Sequence, residues 1–370
     1  MTRTTPRADA LRSFAETALS GRDLRIEPAS ADASFRSYWR VTGARGTRIV
    51  MDAPPDKENI DPWLDIGARL RGAGLHAPEV YAVDRQQGFV LMEDLGTRLY
   101  LAELNAARVD TLYADALDAL LRMQTLVDPA GLPRFDETFM TVELELMPEW
   151  FLRRHLGYEI GCDDWDVIEL AFRTLITSVR AQPQAFMHRD YHSRNLLAVG
   201  AVGAVGAVGA GDAASGTRTG SNHTTAAPML ASPGIIDFQG AMIGAIAYDL
   251  ASLLRDCYIA WDAEQVEGWV EAYRQRLQHA HVIDAHTDAA RFRRWFDLAG
   301  LQRHLKVLGI FCRLWYRDGK ADYLSDLPLT WRYVITVARR YTELAPLADL
   351  LERALGARDI TQARGAALVG

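Results

Sequence analysis

The residues of this sequence best suited to chemistry are His188-Arg189-Asp190-Tyr191-His192-Ser193-Arg194-Asn195, entered through apolar Ala185, Phe186 and Met187 and left through Leu196 and Leu197. Their spacing is H-x-D-x-x-x-x-N. In that pattern a carboxylate accepts the hydrogen bond of a substrate hydroxyl and aligns its oxygen, while the amide further on reaches a magnesium ion; the chemistry is phosphoryl transfer. Alone, the pattern arises by chance in long chains. Further along, Asp237 ends the apolar run Gly234-Ile235-Ile236 and precedes Phe238, which places a second hard oxygen donor downstream. Asp190 is therefore the candidate catalytic residue, and Asn195 with Asp237 the candidate metal ligands. Taken singly each is an ordinary turn or strand-end residue; the weight comes from the two motifs in order.

Other chemistries fit less well. His188 and His192 have i,i+4 spacing but neither the helical context nor the glutamate of a zinc protease, so His188 reads as a support of the loop. The 3 cysteines, Cys162, Cys257 and Cys312, are far apart and odd in number, as reduced buried thiols would be. A net charge of −7 argues against a nucleic-acid partner, which would need a basic face. Behind Met1-Thr2-Arg3-Thr4-Thr5-Pro6-Arg7 there is no apolar leader, and no stretch is apolar and long enough to span a bilayer. The expectation is a cytoplasmic monomer with no membrane partner.

These residues need elements to hold them. Leu11, Phe14, Ala15 and Leu19 recur at helical spacing up to Gly21. Short strands follow at residues 24–28, 38–41 and 47–51, the last two joined by Gly43-Ala44-Arg45-Gly46. Asp61-Pro62 starts a helix with Trp63, Ile66, Leu70 and Ala73 on one face, and a hairpin then joins strands at residues 80–83 and 88–92. Beyond Gly96 the pattern is helical: residues 109–126, 141–156, 165–179, 248–261, 263–279, 288–315, 329–341 and 345–355. Strands first and helices second predict an α+β protein of two lobes, a small antiparallel-sheet lobe over residues 1–95 that binds nucleotide and a larger helical lobe over 96–370 that carries the catalytic loop and substrate site. Residues 198–233, with tandem Ala-Val-Gly and then Gly, Ser, Thr and Ala, hold too few large apolar side chains to offset backbone entropy. They read as a disordered insert.

Further site candidates come from position. Met92, Glu93 and Leu95 form a connector whose backbone could read an adenine edge, and Ser34, Phe35 and Arg36 lie in a small-residue loop where backbone N–H groups could approach phosphates. Asp249, at the start of a helix, reads as structural. Arg194, Arg255, His304 and Arg313 are candidates for binding substrate. His304, Lys306 and Arg313 lie off the apolar stripe of Leu301, Leu305, Leu308, Cys312 and Trp315, so they could face a cleft or simply be solvated.

In its motif order (Asp190 and Asn195, then Ile236-Asp237-Phe238, then Tyr248-Asp249-Leu250) the chain resembles the aminoglycoside phosphotransferase and choline kinase superfamily. Within it, the wording of Ala33-Ser34-Phe35-Arg36, Met51-Asp52-Ala53-Pro54-Pro55, Met92-Glu93-Asp94-Leu95-Gly96, the stretch from Met187 to Leu196, and His304-Leu305-Lys306-Val307-Leu308-Gly309-Ile310-Phe311 is similar to that of bacterial N-acetylmuramate/N-acetylglucosamine anomeric kinases. The likeness covers nearly the whole chain apart from the insert. It implies a protein-kinase-like fold, ATP and Mg2+ as cofactors, and phosphorylation of the C1 hydroxyl of an amino sugar in peptidoglycan recycling. By position, Asp190 would be the base and Asn195 with Asp237 would hold the magnesium.

The sequence departs from the wider pattern at one point. Met51 stands on the strand where a phosphate-binding lysine is expected, and Arg36, Arg48 and Lys57 are the nearby cations. Two other readings therefore stay open: an aminoglycoside or other small-alcohol phosphotransferase, and a nucleotide-binding module without turnover.

Overall fold

The computed structural model describes residues 6–31, 35–44, 46–200 and 229–366. Ser34 and most of the insert, residues 201–228, lie outside the described residues. Contacts divide the chain into two units, Met1–Arg122 with Arg194–Gly240, and Met123–Ser193 with Ala241–Gly370.

The first unit is built on helix α1 (Pro6–Leu19) and strands β1 (Arg25–Ala31), β2 (Ser37–Gly43) and β3 (Gly46–Asp52). Helix α2 (Asp61–Gly72) and strands β4 (Val80–Asp84) and β5 (Phe89–Glu93) follow. The five strands form one antiparallel sheet in the order β1-β2-β3-β5-β4. Because side chains alternate along a strand, Val41, Val50, Phe89 and Leu91 share one face and pack with Leu11 and Ala15 of α1. The same alternation sends Tyr38, Arg40, Ile49 and Met92 to the other face, where they line a cavity. Register fixes this: Ile49 lies opposite Met92, and Tyr38 opposite Met51. Helix α2 buries Trp63, Ile66 and Leu70, and Trp63 meets the Phe238 ring at 5.3 Å. Gly67 faces the same ring, where an added Cβ would sit 3.2 Å from Phe238 Cζ. A short helix α3 (Tyr100–Glu103) precedes α4 (Val109–Leu126), which carries the chain across the division.

The second unit is mostly helical: α5 (Glu137–Leu144), a wide π-helical segment Met147–Leu156, α6 (Cys162–Arg180), α7 (Tyr248–Leu254), α8 (Ala263–His279), α9 (Ala289–Tyr316), a 3-10 turn Ala321–Asp326, α10 (Leu327–Arg340) and α11 (Ala345–Leu355). Its one small ribbon pairs Gln184–Met187 with Met242–Ala245. None of the described helices is long and apolar enough to cross a membrane.

Three expectations need correction. Residues 141–156 are not one helix, because Pro148 has no N–H to bond back to Leu144 and the chain rewinds as the π segment. The helix expected over residues 248–261 stops at Leu254, and the chain beyond it turns so that Asp256 accepts hydrogen bonds from Ser193 N at 3.0 Å and Tyr258 N at 3.2 Å. Helix α9 has no solvated face along its middle: every residue from Trp295 to Gly309 is buried, among them Asp297, Gln302, Arg303, His304 and Lys306. It is the central helix of the unit, packed by the π segment, α6, α7, α8 and α10.

At Gly309 that packing is closest: an added Cβ would lie 2.3 Å from the carbonyl oxygen of Leu146. Gly309→Ala is expected to destabilise the protein by roughly 2 kcal/mol through forced displacement of the π segment. Urea titration checks this, and an unchanged midpoint would show that the segment yields freely.

Candidate active site

In the second unit, the strand Gln184–Met187 delivers the chain to the loop that begins at His188, and Asp249 fixes how it turns. The Asp249 carboxylate accepts the backbone N–H of His188 at 2.6 Å and of Arg189 at 2.9 Å. This holds Arg189 at φ 78°, a left-handed conformation that a non-glycine residue rarely adopts. Burial pushes the Asp249 carboxyl up to about 6, with His188 and the two N–H groups acting against it. Asp249 is thus structural, as its position suggests, and what it supports is the loop itself.

Arg189 then reaches out to Glu143, Nη2 to Oε1 at 2.7 Å, and its guanidinium lies 4.9 Å from the centre of the Phe139 ring. Asp190 follows, half-buried, its N–H turned to His188 Nδ1 at 3.3 Å. Burial alone would push its carboxyl up, but Lys306, His192, Arg303 and Arg189 outweigh that and hold it well below the usual carboxylate range. Asp190 is an ionised acceptor of hydrogen bonds. His192 is the opposite case: burial brings its ring down to about 4, against the pull of Asp256, so it is neutral at pH 7. At the loop's far end Ser193 donates from both its backbone N, at 3.0 Å, and its Oγ, at 2.5 Å, to Asp256 Oδ2. The loop is therefore tied at both ends to carboxylates that begin and follow α7.

The first unit contains Arg194 and Asn195 and then the two-residue strands Leu196–Leu197 and Gly234–Ile235, which pair with each other. Here a cavity of about 390 Å³ is lined by Met92, Glu93, Asp94 and Leu95, by Asn195 and Asp237, and by the rings and apolar side chains of Tyr38, Ile49, Trp63 and Phe238. Asp237 sits at φ 61° while Phe238 is buried against Trp63, so the carboxylate is set by the ring beside it. That carboxylate gathers Gln239 Nε2 at 2.6 Å, Asn195 Nδ2 at 3.4 Å and Arg36 Nη2 at 3.7 Å. One carboxylate and one amide suit a magnesium ion that completes its shell from phosphate oxygens and water. Among the described residues no group of three or more His, Cys, Asp or Glu assembles an all-protein metal site.

The connector of the cavity is rigid. Arg40 holds Asp94 by two parallel bonds, Nε to Oδ2 at 2.7 Å and Nη2 to Oδ1 at 3.0 Å, and Gly96 N donates to Asp94 Oδ1 at 3.0 Å. Glu93 turns away to His76 Nε2 at 3.0 Å and Glu79 N at 3.2 Å. Arg40 escapes sequence reasoning, although its alternation with Tyr38 along β2 is the signal that marks it. Phe35 is 65% exposed, with its N–H on Glu58 Oε1 at 3.2 Å and the Lys57 ammonium 5.2 Å from its ring centre.

The remaining candidates are placed differently from one another. Arg194 lines the cavity of the first unit. In the second unit Arg255 is buried in an ion pair with Asp297, Nη2 to Oδ1 at 2.6 Å, and stacks on Phe296. His304 is fully buried, its Nε2 on the Arg255 carbonyl oxygen at 2.9 Å and its ring stacked on Tyr333 at 5.0 Å. Burial lowers its ring to about 3. Arg313 is half-buried near the end of α9. Neither Arg255 nor His304 faces open solvent, which corrects the reading of His304 as a solvated side chain.

Comparison with known proteins bears on this arrangement. Residues 25–208 and 231–291 match the phosphotransferase enzyme family. An N-acetylmuramate/N-acetylglucosamine kinase of Pseudomonas putida is 40% identical, with 90% of this chain and 89% of that protein covered. A protein of the same name from Neisseria meningitidis serogroup B is 35% identical, with 95% and 96% covered. Among solved structures, a choline/ethanolamine kinase family protein from Mesorhizobium loti matches with a TM-score of 0.57 at 15% identity, over 94% of this chain and 99% of that one. Aminoglycoside 2'-phosphotransferase-IIIa in its GDP complex matches with a TM-score of 0.56 at 14% identity, over 91% and 100%. At such identities the solved structures show the fold, which is the kinase-like one of that superfamily.

The neutral His304 has a consequence for stability. Unfolded, its ring has a pKa of 6.5; folded, about 3. A depressed folded pKa means that its contribution is complete above pH 6.5 and is lost as pH falls below it, at up to about 1.4 kcal/mol per pH unit. His304→Gln, which keeps a donor for the Arg255 carbonyl, is expected to flatten the loss of stability between pH 7 and pH 5 in denaturant titrations. An unchanged slope would mean that the ring takes up its proton in the folded state.

Proposed function

The chain belongs to the phosphotransferase enzyme family, and on that premise we propose that it transfers the γ-phosphoryl group of ATP to the anomeric C1 hydroxyl of N-acetylmuramate or N-acetylglucosamine. The observation that carries this reading is that relatives named for those two sugars are 35–40% identical to this chain over most of its length, with the candidate loop and cavity both inside the matched family region. Use of ATP would suit the cytoplasm.

In this reading the apolar walls of the cavity take the nucleotide base, and the backbone of Met92 to Leu95 reads its edge. Asn195 and Asp237 would hold magnesium, which would supply positive charge against the phosphates. Asp190 accepts a hydrogen bond from the C1 hydroxyl and aligns its oxygen for in-line attack. The new bond joins that oxygen to the γ-phosphorus, the bond from phosphorus to the bridging oxygen breaks with its electron pair leaving on ADP, and the hydroxyl proton passes late to Asp190. A carboxylate held below its usual range is a weak base, which suits a loose transition state in which positioning matters more than proton removal.

Arg36 supplies the cation that the strand lacks. It stands just before β2, two residues before Tyr38, which is the cross-strand partner of Met51, and its guanidinium is beside Asp237. Arg48 is instead stacked on Tyr81 at 4.6 Å, and Lys57 on exposed Phe35.

Three variants test these roles in a steady-state assay with ATP, magnesium and either sugar. Asp190→Asn is expected to lower kcat on the order of 1,000-fold while KM for the sugar stays within about twofold; near-normal turnover would remove Asp190 from the reaction. Arg36→Met is expected to raise KM for ATP about tenfold or more, with Arg48→Met close to wild type. The reverse order would transfer the role to Arg48.

A further inference from the structure

Nothing above explains Lys306, which is 3% exposed on the central helix. Burying an ammonium group is expensive unless it is paired, and a leucine or methionine would fill the same space. Its neighbours are specific. Lys306 Nζ lies 3.1 Å from Tyr248 Oη and 3.5 Å from Glu143 Oε1. That same Glu143 oxygen accepts from Arg189 Nη2 at 2.7 Å. Tyr248 opens α7 immediately before Asp249, the residue that holds the N–H groups of His188 and Arg189. One ammonium thus touches both supports of the residues leading into Asp190: the side-chain support through Glu143, and the backbone support through the start of α7.

We propose that Lys306 is a positioning residue for phosphoryl transfer, tying Glu143 to Tyr248 beneath the catalytic loop and supplying the positive charge that keeps the Asp190 carboxylate directed at the acceptor hydroxyl. The proposal rests on the kinase reading above and adds to it a residue remote from the loop in sequence.

The groups facing Asp190 agree with it. From α9 come Lys306 and Arg303; from the loop, His188, Arg189 and His192; from α7, Tyr248 and Asp249; and from α5, Glu143, which neutralises Lys306 and Arg189. Burial pushes the Asp190 carboxyl up, and Lys306 is the strongest of the groups that pull it down. Burial likewise lowers the Lys306 ammonium, but Glu143, Tyr248 and Asp190 outweigh it and keep the group charged. Arg189, whose guanidinium meets Glu143 and Phe139, adds a smaller pull on Asp190 than Lys306 does.

Lys306→Met in the full chain tests the proposal. Glu143 keeps Arg189 as partner, so no carboxylate is left bare. Steady-state rates with ATP, magnesium and either sugar are measured at pH 7.5. The expected result is a fall in kcat of about tenfold to a hundredfold with KM for ATP unchanged. Lys306→Arg, which keeps the charge, should return kcat toward wild type. Tyr248→Phe removes only the hydroxyl tether and should lower kcat severalfold. A folded Lys306→Met with wild-type kcat would overturn the proposal. If that variant does not fold, a folded Tyr248→Phe with unchanged kcat overturns it instead. A wild-type enzyme that transfers nothing to either sugar brings down the underlying reading and this proposal together, whereas an active wild type indifferent to Lys306 brings down the proposal alone.

Discussion

The second unit depends on one carboxylate receiving two backbone N–H groups: Asp249 beneath His188 and Arg189. Charge-assisted bonds of this kind contribute about 1.5–3 kcal/mol each, enough to hold Arg189 in the left-handed region. That single turn decides where Arg189 and Asp190 point. With Arg189 reversed, its guanidinium meets Glu143 and Asp190 follows with its own N–H returned to His188. Asp256 then stops the loop from the other end through Ser193. Both carboxylates flank α7, so one short helix sets both ends of the loop.

The first unit is organised by a different constraint, the alternation of side chains on a twisted sheet. The period of two that buries Val41, Val50 and Leu91 under α1 also sends Tyr38 and Arg40 to the opposite face. In the proposed reading the cation for the phosphates is Arg36, which stands just before β2 with its guanidinium beside Asp237, while Met51 is wholly buried.

Much of this was legible in the chain. The five strands, α4, α8 and α11 follow from periodicity and turn residues, because each is decided by neighbours a few positions away. Asp190, Asn195 and Asp237 could be picked out because their spacing is local. What stayed hidden was set by partners distant in sequence. The Arg40–Asp94 pair spans 54 positions, and Lys306–Tyr248 spans 58. No local pattern announces that His304 and Lys306, which look like the solvated side of an amphipathic helix, lie in the middle of a bundle that surrounds α9. The π segment was missed for a related reason: Pro148 marks a break, but how the chain rewinds depends on α9 pressing at Gly309.

The claim that the acceptor is the anomeric hydroxyl of an amino sugar is open to one direct measurement. The enzyme is incubated with ATP, magnesium and N-acetylmuramate or N-acetylglucosamine, and the product is read by phosphorus NMR with proton coupling. The account predicts a sugar phosphate whose phosphorus couples to the anomeric proton. A phosphorus coupled to the C6 protons, or ADP and free phosphate with no sugar phosphate, would contradict it.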